Sequence, residues 1–140
     1  MVGTLNLIGQ LAAMFLLGAL AWSFAEYALH RFWGPGPFRI GLFYKEHTRH
    51  HAEGHYMTPT ILKWAFAVGL FSAIVGLSLV VNALMYGFAF GSGFCLAYGY
   101  YEYFHWSLHA YSATSAYGRW ARRHHFYHHF HEPKMNHGVT

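Results

Sequence analysis

The pattern His-x-x-His-His occurs twice in this chain, within "KEHTRHH" (45–51) and "RRHHFYHH" (122–129). Residues i, i+3 and i+4 of an α-helix lie on one side, so each copy is predicted to aim three imidazoles in one direction. Imidazole is the commonest metal ligand among protein side chains. The chain has 13 histidines, but abundance alone explains two identical patterns poorly. The repeated spacing therefore predicts a metal site.

Three further histidines lie at the ends of long apolar segments. His30 ends "EYALH" (26–30), and His105 and His109 lie on one helical face in "EYFHWSLH" (102–109). The predicted metal ligands are His30, His47, His50, His51, His105, His109, His125, His128 and His129. One ion takes about four to six ligands, so nine imidazoles predict two ions.

Two acids lie inside otherwise apolar helices near these histidines. Glu26 is four residues before His30, and Glu102 is three residues before His105. Acids in a membrane usually have a partner, and a metal-bound imidazole commonly donates its second N–H to a carboxylate. We predict this supporting role for Glu26 and Glu102, with direct metal ligation as the alternative.

The remaining histidines carry weaker expectations. His124 would point about 100° away from His125 on a helix, so the spacing leaves open whether it is a ligand. The histidines predicted to be solvated or to support the ligands are His55, His131 and His137.

The composition predicts a membrane protein formed by one domain over residues 1–140. The chain is 55% hydrophobic and 10% charged, whereas ordinary soluble domains are about 25% charged. Residues 1–25 and 64–101 contain no charged side chain. A bilayer core of about 30 Å needs about 20 helical residues, so the first segment predicts one crossing and the second predicts two. Asn82 and Gly87 are candidates for the intervening turn. The predicted spans are 5–28, 61–81 and 85–106.

All nine lysines and arginines lie between the first two spans, at the start of the second (Lys63) or after the third. The positive-inside rule makes that side cytoplasmic. The predicted fold is therefore all-α: a membrane helical bundle of about three transmembrane helices with a cytoplasmic, histidine-rich helical cap that binds two metals. Trp22, Trp33, Trp64 and Trp106 fall near the predicted membrane interfaces. The net charge of +4 does not indicate nucleic-acid binding, because so apolar a chain presents no soluble basic surface.

The sequence shows no glycine-rich phosphate loop, nucleophile elbow or Cys-x-x-Cys pair, so the chemistry is predicted to belong to the metals. A site between water and bilayer suits a substrate with a polar head and an apolar tail. Saturated C–H bonds offer no handle for acid–base attack, whereas a redox metal with oxygen can break them.

The segments "EYALHRF", "HTRHH", "YEYFHWSLH" and "RRHHFYHHF...NHGVT" together resemble the fatty acid hydroxylase/sterol desaturase superfamily, over residues 26–140. The resemblance implies a non-haem di-iron oxygenase that uses O2 and a separate ferredoxin- or cytochrome-type electron donor. It implies hydroxylation or desaturation of a lipid such as a fatty acyl chain, sterol, sphingolipid or carotenoid. The expected membrane is a bacterial inner membrane or the endoplasmic reticulum. The resemblance also implies that the nine histidines hold two iron ions. Zinc is expected in overexpressed protein, because it binds nitrogen sites more tightly than ferrous iron.

Two positions depart from the family pattern. Pro35 stands where the first family motif has its second histidine, so His55 or a water is expected there, or else a weakly held metal. Family sequences continue beyond "NHGVT", whereas this chain stops at Thr140, which predicts a truncated or compact variant.

The alternative function is a histidine-rich membrane protein that binds or transports metal without oxidase activity. Transport would need polar residues along a transmembrane path, and the charge-free segment 64–101 offers few: Ser72, Ser78, Asn82 and Ser92. A bis-imidazole haem protein would place paired histidines within the membrane rather than at one edge.

Overall fold

The computed structural model describes residues 2–34 and 36–139. Their α-helices are α1 (Val2–Ala28), α2 (Gly41–Ala52), α3 (Thr60–Val80), α4 (Leu84–Ala110) and α5 (Ala116–Phe130), and a π-helical turn (Leu29–Trp33) extends α1. The described residues contain no strand, so the all-α prediction is confirmed. Pro35 and Thr140, on which two of the sequence expectations fall, lie outside the described residues.

The chain divides into two compact units. The first consists of the residues up to Trp22 together with Thr60–Gly99, and the second of Ser23–Pro59 together with the residues from Tyr100 onward. All nine predicted ligand histidines belong to the second unit.

Two helical segments of the described chain, Gly3–Trp33 and Thr60–Val80, are long and apolar enough to cross a membrane. Their apolar side chains are widely exposed: 67% for Leu20, 74% for Ile61 and 78% for Val80. Such exposure is unfavourable in water but suits contact with lipid. These helices support a membrane protein and match the first two predicted spans.

The third predicted span, 85–106, lies within α4. At 27 residues α4 is long enough to cross a bilayer, but it is less apolar and is not one of the two qualifying segments of the described chain. A third crossing therefore stays a prediction.

The turn between α3 and α4 lies at Asn82, as predicted. Its φ of 53° is in the left-handed region, which asparagine tolerates better than most residues. The other candidate, Gly87, is wrong as a turn residue because it lies inside α4. Its missing β-carbon leaves room for the Ser78 side chain, with which any larger residue would clash.

Close packing and an aromatic cluster form the core of the first unit. A β-carbon at Gly93 of α4 would clash with the backbone carbonyl of Phe15 in α1, so only glycine allows this approach. Trp22, which is predicted near a membrane interface, is 3% exposed. Its ring centroid is 5.5 Å from that of Phe94 and 4.8 Å from that of Tyr98. These ring contacts hold the indole in the core of the first unit, and its position near a membrane interface stays a prediction.

Candidate metal centre

The candidate ligand atoms of eight histidines form two groups in the second unit. Within each group all of these atoms lie within 4.8 Å of one another. The five-histidine group is His50, His105, His109, His125 and His129, and the three-histidine group is His47, His51 and His128. Both triads are on helices as predicted, α2 for the first and α5 for the second.

Each triad is divided between the two groups, which differs from the prediction that it points in one direction. In α2, His47 and His51 join the three-histidine group, whereas His50 joins the other. In α5 the reverse holds: His125 and His129 join the five-histidine group, and only His128 joins the three-histidine group. An α-helix turns about 100° per residue, so positions i and i+4 differ by about 40° but i+3 and i+4 by about 100°. The i, i+4 pair therefore shares a direction, and the i+3 residue faces the other group.

His30, the ninth predicted ligand, lies beside the three-histidine group without belonging to it. It is 3% exposed, and its ring centroid is 4.9 Å from that of His47 and 6.3 Å from that of His128. Its Nδ1 donates to the backbone carbonyl of Glu26 at 2.8 Å, and its Nε2 is 3.5 Å from the Tyr101 hydroxyl. The π-helical turn after α1 thus brings a further imidazole to the smaller group.

Backbone carbonyls orient candidate ligand imidazoles in both groups. Nδ1 of His50 donates to the carbonyl of Tyr56 at 2.5 Å, and Nδ1 of His128 donates to the carbonyl of Met135 at 2.8 Å. These bonds place the ring proton on Nδ1 and leave the lone pair on Nε2. Metal-binding histidines in proteins are held in this way by their outer N–H. Sequence reasoning did not find Tyr56 or Met135, because a backbone carbonyl has no side-chain signature.

Several buried nitrogens of the two groups lack a hydrogen-bond partner among the described residues. They are Nε2 of His47, His51 and His128, and both ring nitrogens of His129. An unsatisfied buried polar atom costs about 1–3 kcal/mol, and a metal ion would bind the unprotonated nitrogen of each ring.

The spacing of nitrogens in the five-histidine group also fits a metal ion. The Nε2 atoms of His50 and His105 are 3.0 Å apart, and those of His109 and His125 are 2.8 Å apart. Two ligands about 2.1 Å from one ion, at right angles around it, are about 3.0 Å from each other.

Burial keeps the imidazoles outside the apolar segments in their neutral form. It is the largest cause lowering the pKa of His51 from 6.5 to about 3, and of His128 and His109 to about 4. Burial and neighbouring imidazoles also hold the pKa of His47 and His125 well below the usual range. Neutral imidazole is the form that binds a metal.

The two predicted supporting acids lie in different surroundings. Glu26 is 1% exposed, and its carboxylate accepts the backbone N–H of Val139 at 2.5 Å. Glu102 is half-buried in α4. Support of a ligand imidazole by either carboxylate stays a prediction.

The other histidines of the described chain belong to neither group. His124, which the spacing left open, stacks on Trp120 with ring centroids 5.0 Å apart. The histidines with exposed side chains are His55 and His131. His137 is half-buried, and its ring centroid is 5.6 Å from that of His128, which is a supporting position.

A cavity of about 360 Å³ adjoins the three-histidine group. The residues that line it include His47, His51, Arg39, Tyr44, Thr48 and Lys134. A small molecule in this cavity would reach the imidazoles of the smaller group.

The sequence profile of the fatty acid hydroxylase family matches residues 15–140. The chain belongs to the fatty acid hydroxylase family. A solved structure of full-length Scs7p, in which only the hydroxylase domain is visible, matches with a TM-score of 0.70 and 21% sequence identity. The match covers 93% of this chain and 52% of that one, so this family member spans about half of that protein, and the likeness shows the fold. A search of curated proteins gives no significant match.

Proposed function

We propose that this fatty acid hydroxylase family member is a membrane-bound, di-iron enzyme that uses O2 to hydroxylate, or desaturate, a C–H bond of a lipid. The substrate class is an amphiphile such as a fatty acyl chain, a sterol or a carotenoid. The observation that carries the proposal is the convergence of eight imidazoles from α2, α4 and α5 into two groups. Each group would hold one ion, and His30 lies next to the three-histidine group.

Two bound irons would supply the electrons for oxygen activation, and imidazole suits iron as it suits zinc. The chain's own residues hold, orient and shield these ligands. The Tyr56 and Met135 carbonyls fix two of the rings, and burial keeps the imidazoles neutral.

The two groups are expected to differ in how many coordination positions they leave open for oxygen and substrate. Five imidazoles nearly fill the coordination of an ion that takes about four to six ligands. The three-histidine group supplies fewer, and the cavity beside His47 and His51 gives access to it. The lipid C–H bond is therefore expected to react at the three-histidine group.

The proposed setting is a multi-pass membrane protein with the histidine groups on the cytoplasmic side, supported by the one-sided lysines and arginines. Electrons would come from a separate ferredoxin- or cytochrome-type protein.

Lipid mass spectrometry of iron-replete cells with and without the protein tests the reaction. A lipid that gains one oxygen atom indicates hydroxylation, and one that loses two hydrogen atoms indicates desaturation. His50→Ala and His128→Ala each remove a ligand from a different group, so both should abolish product. His131→Ala is the matched control, because this histidine is exposed and outside both groups.

Full product formation by either ligand variant, at equal protein level, would contradict the proposal. Metal flux across vesicles that contain the protein, without lipid oxidation, would instead support the transport alternative.

A further inference from the structure

The tail of the described chain, residues 131–139, makes two hydrogen bonds that involve a side chain with α5, next to the three-histidine group. The carbonyl of Met135 accepts the Nδ1–H of His128 at 2.8 Å. Asn136 donates from its side-chain amide to the carbonyl of His124 at 3.3 Å, and its φ of 56° turns the tail at this point. The tail thus supplies the group that orients one of the three imidazoles.

A buried contact at the end of the tail ties it to α1. The carboxylate of Glu26 accepts the backbone N–H of Val139 at 2.5 Å, across 113 residues of sequence. Glu26 is 1% exposed and Val139 is 6% exposed. Burial of a carboxylate is unfavourable without hydrogen-bond donors, and a bond from a backbone N–H to a carboxylate is among the stronger kinds. We call this contact the Glu26–Val139 clasp.

We propose that Glu26 is a positioning residue for the three-histidine group. The Glu26–Val139 clasp fixes the tail, the tail fixes the Met135 carbonyl, and that carbonyl holds His128 with its Nε2 lone pair toward the rest of the group. The same residue holds His30 through its own main-chain carbonyl. The inference rests on the proposed function only in requiring that the three-histidine group binds a metal ion.

The clasp should act on the three-histidine group alone. In the five-histidine group, His50 is oriented by the carbonyl of Tyr56, and His109 has a hydrogen bond to the backbone of Gly54. Both partners lie in the connection between α2 and α3, outside the tail. Loss of the clasp should therefore weaken one ion and leave the other.

The test is a cobalt titration of the purified, metal-stripped full chain in detergent, with bound metal measured by mass spectrometry and by visible absorption. Wild type should bind two Co²⁺ ions. Glu26→Ala removes the acceptor and Val139→Pro removes the donor, because proline has no N–H. In both variants one ion should bind about 10–100-fold more weakly, the usual effect of losing a group that supports a ligand. Glu26→Gln keeps a side-chain oxygen that can accept the bond, and Val139→Ala keeps the backbone N–H that donates it. Both variants should therefore resemble wild type.

A second measurement follows the clasp without metal. Hydrogen exchange of the tail amides in metal-free protein should be slow in wild type and Glu26→Gln, and fast in Glu26→Ala. Wild-type cobalt affinities in both Glu26→Ala and Val139→Pro would overturn the proposal. Loss of both ions from Val139→Pro, with its helix content intact, would also overturn the proposal. If Glu26→Ala fails to fold, the result for Val139→Pro alone decides.

The clasp and the proposed function can fail separately. Two bound cobalt ions with clasp-dependent affinity, but no lipid oxidation by the iron-loaded protein, would leave the clasp standing and refute the oxidase. If Glu26→Ala and Val139→Pro both bind two ions and oxidise lipid as wild type does, the oxidase would stand and the clasp would be refuted.

Discussion

Acid should destabilise the metal-free chain through its buried histidines, and His128 allows the size of the effect to be worked out. Its side chain is 1% exposed. Burial lowers its pKa to about 4, the bond to the Met135 carbonyl partly opposes this, and nearby His137, His50 and His124 lower it further. In an unfolded chain the pKa of histidine is about 6.5. Below pH 6.5 the unfolded state therefore binds more protons, so stability falls as the pH falls from about 6.5 to about 4.

The contribution of His128 follows from these two pKa values. At pH 5 protonation favours the unfolded chain by about 30-fold at this residue, which is about 2 kcal/mol. The effect levels off near 3.4 kcal/mol below pH 4, at about 1.36 kcal/mol for each unit of pKa difference. Total folding stability is about 5–15 kcal/mol, so one such histidine accounts for a sizeable share.

The assay compares denaturant unfolding of metal-free wild type and His128→Gln at pH 7 and pH 5, followed by far-UV circular dichroism in detergent. Glutamine does not titrate, so the variant should lose about 2 kcal/mol less than wild type between these pH values. His131→Gln, at an exposed position outside both groups, should behave as wild type does. An identical pH dependence in wild type and His128→Gln would refute the reasoning.

Two further predictions concern the first unit and the topology. Gly93→Ala should lower the free energy of unfolding by about 1–3 kcal/mol, because its β-carbon would clash with the Phe15 backbone, whereas Gly76→Ala, with open space around it, should not. Thermal unfolding of both variants checks this, and equal stability would contradict the close approach. With three crossings, Val81→Cys in a Cys95→Ser background should react with a membrane-impermeant reagent from outside the cell. Labelling only from the cytoplasmic side would overturn that topology.

The sequence predicts the helices that carry the ligands because local spacing decides them. The i, i+3, i+4 pattern and the long charge-free segments need no knowledge of distant residues, and α2, α5 and the first two spans follow from them. The turn at Asn82 also follows from local sequence, because asparagine tolerates the left-handed backbone region better than most residues. Gly87 was misread as a turn residue because its role depends on a distant neighbour, the Ser78 side chain.

The division of each triad between two groups could not be predicted from spacing. The three side chains of a triad span about 100° around the helix, wide enough to face one site or two. Which outcome occurs depends on the other helices that meet there. The supporting role of Met135 could not be predicted either, since any residue could supply that carbonyl. A carboxylate such as that of Glu26, in contrast, can be recognised in the sequence.

Together the α2 and α5 triads give three imidazoles to each group, and α4 is what makes the two groups unequal. The α2 triad gives two imidazoles to the three-histidine group and one to the other, and the α5 triad does the reverse. These two helices alone would form two groups of three. His105 and His109 of α4 both join one side and raise it to five. Because α2 and α5 each contribute to both groups, a shift of either helix disturbs both ions, whereas the Glu26–Val139 clasp acts on one. The smaller group, short of ligands and next to the cavity, is therefore where an independent support has the most effect.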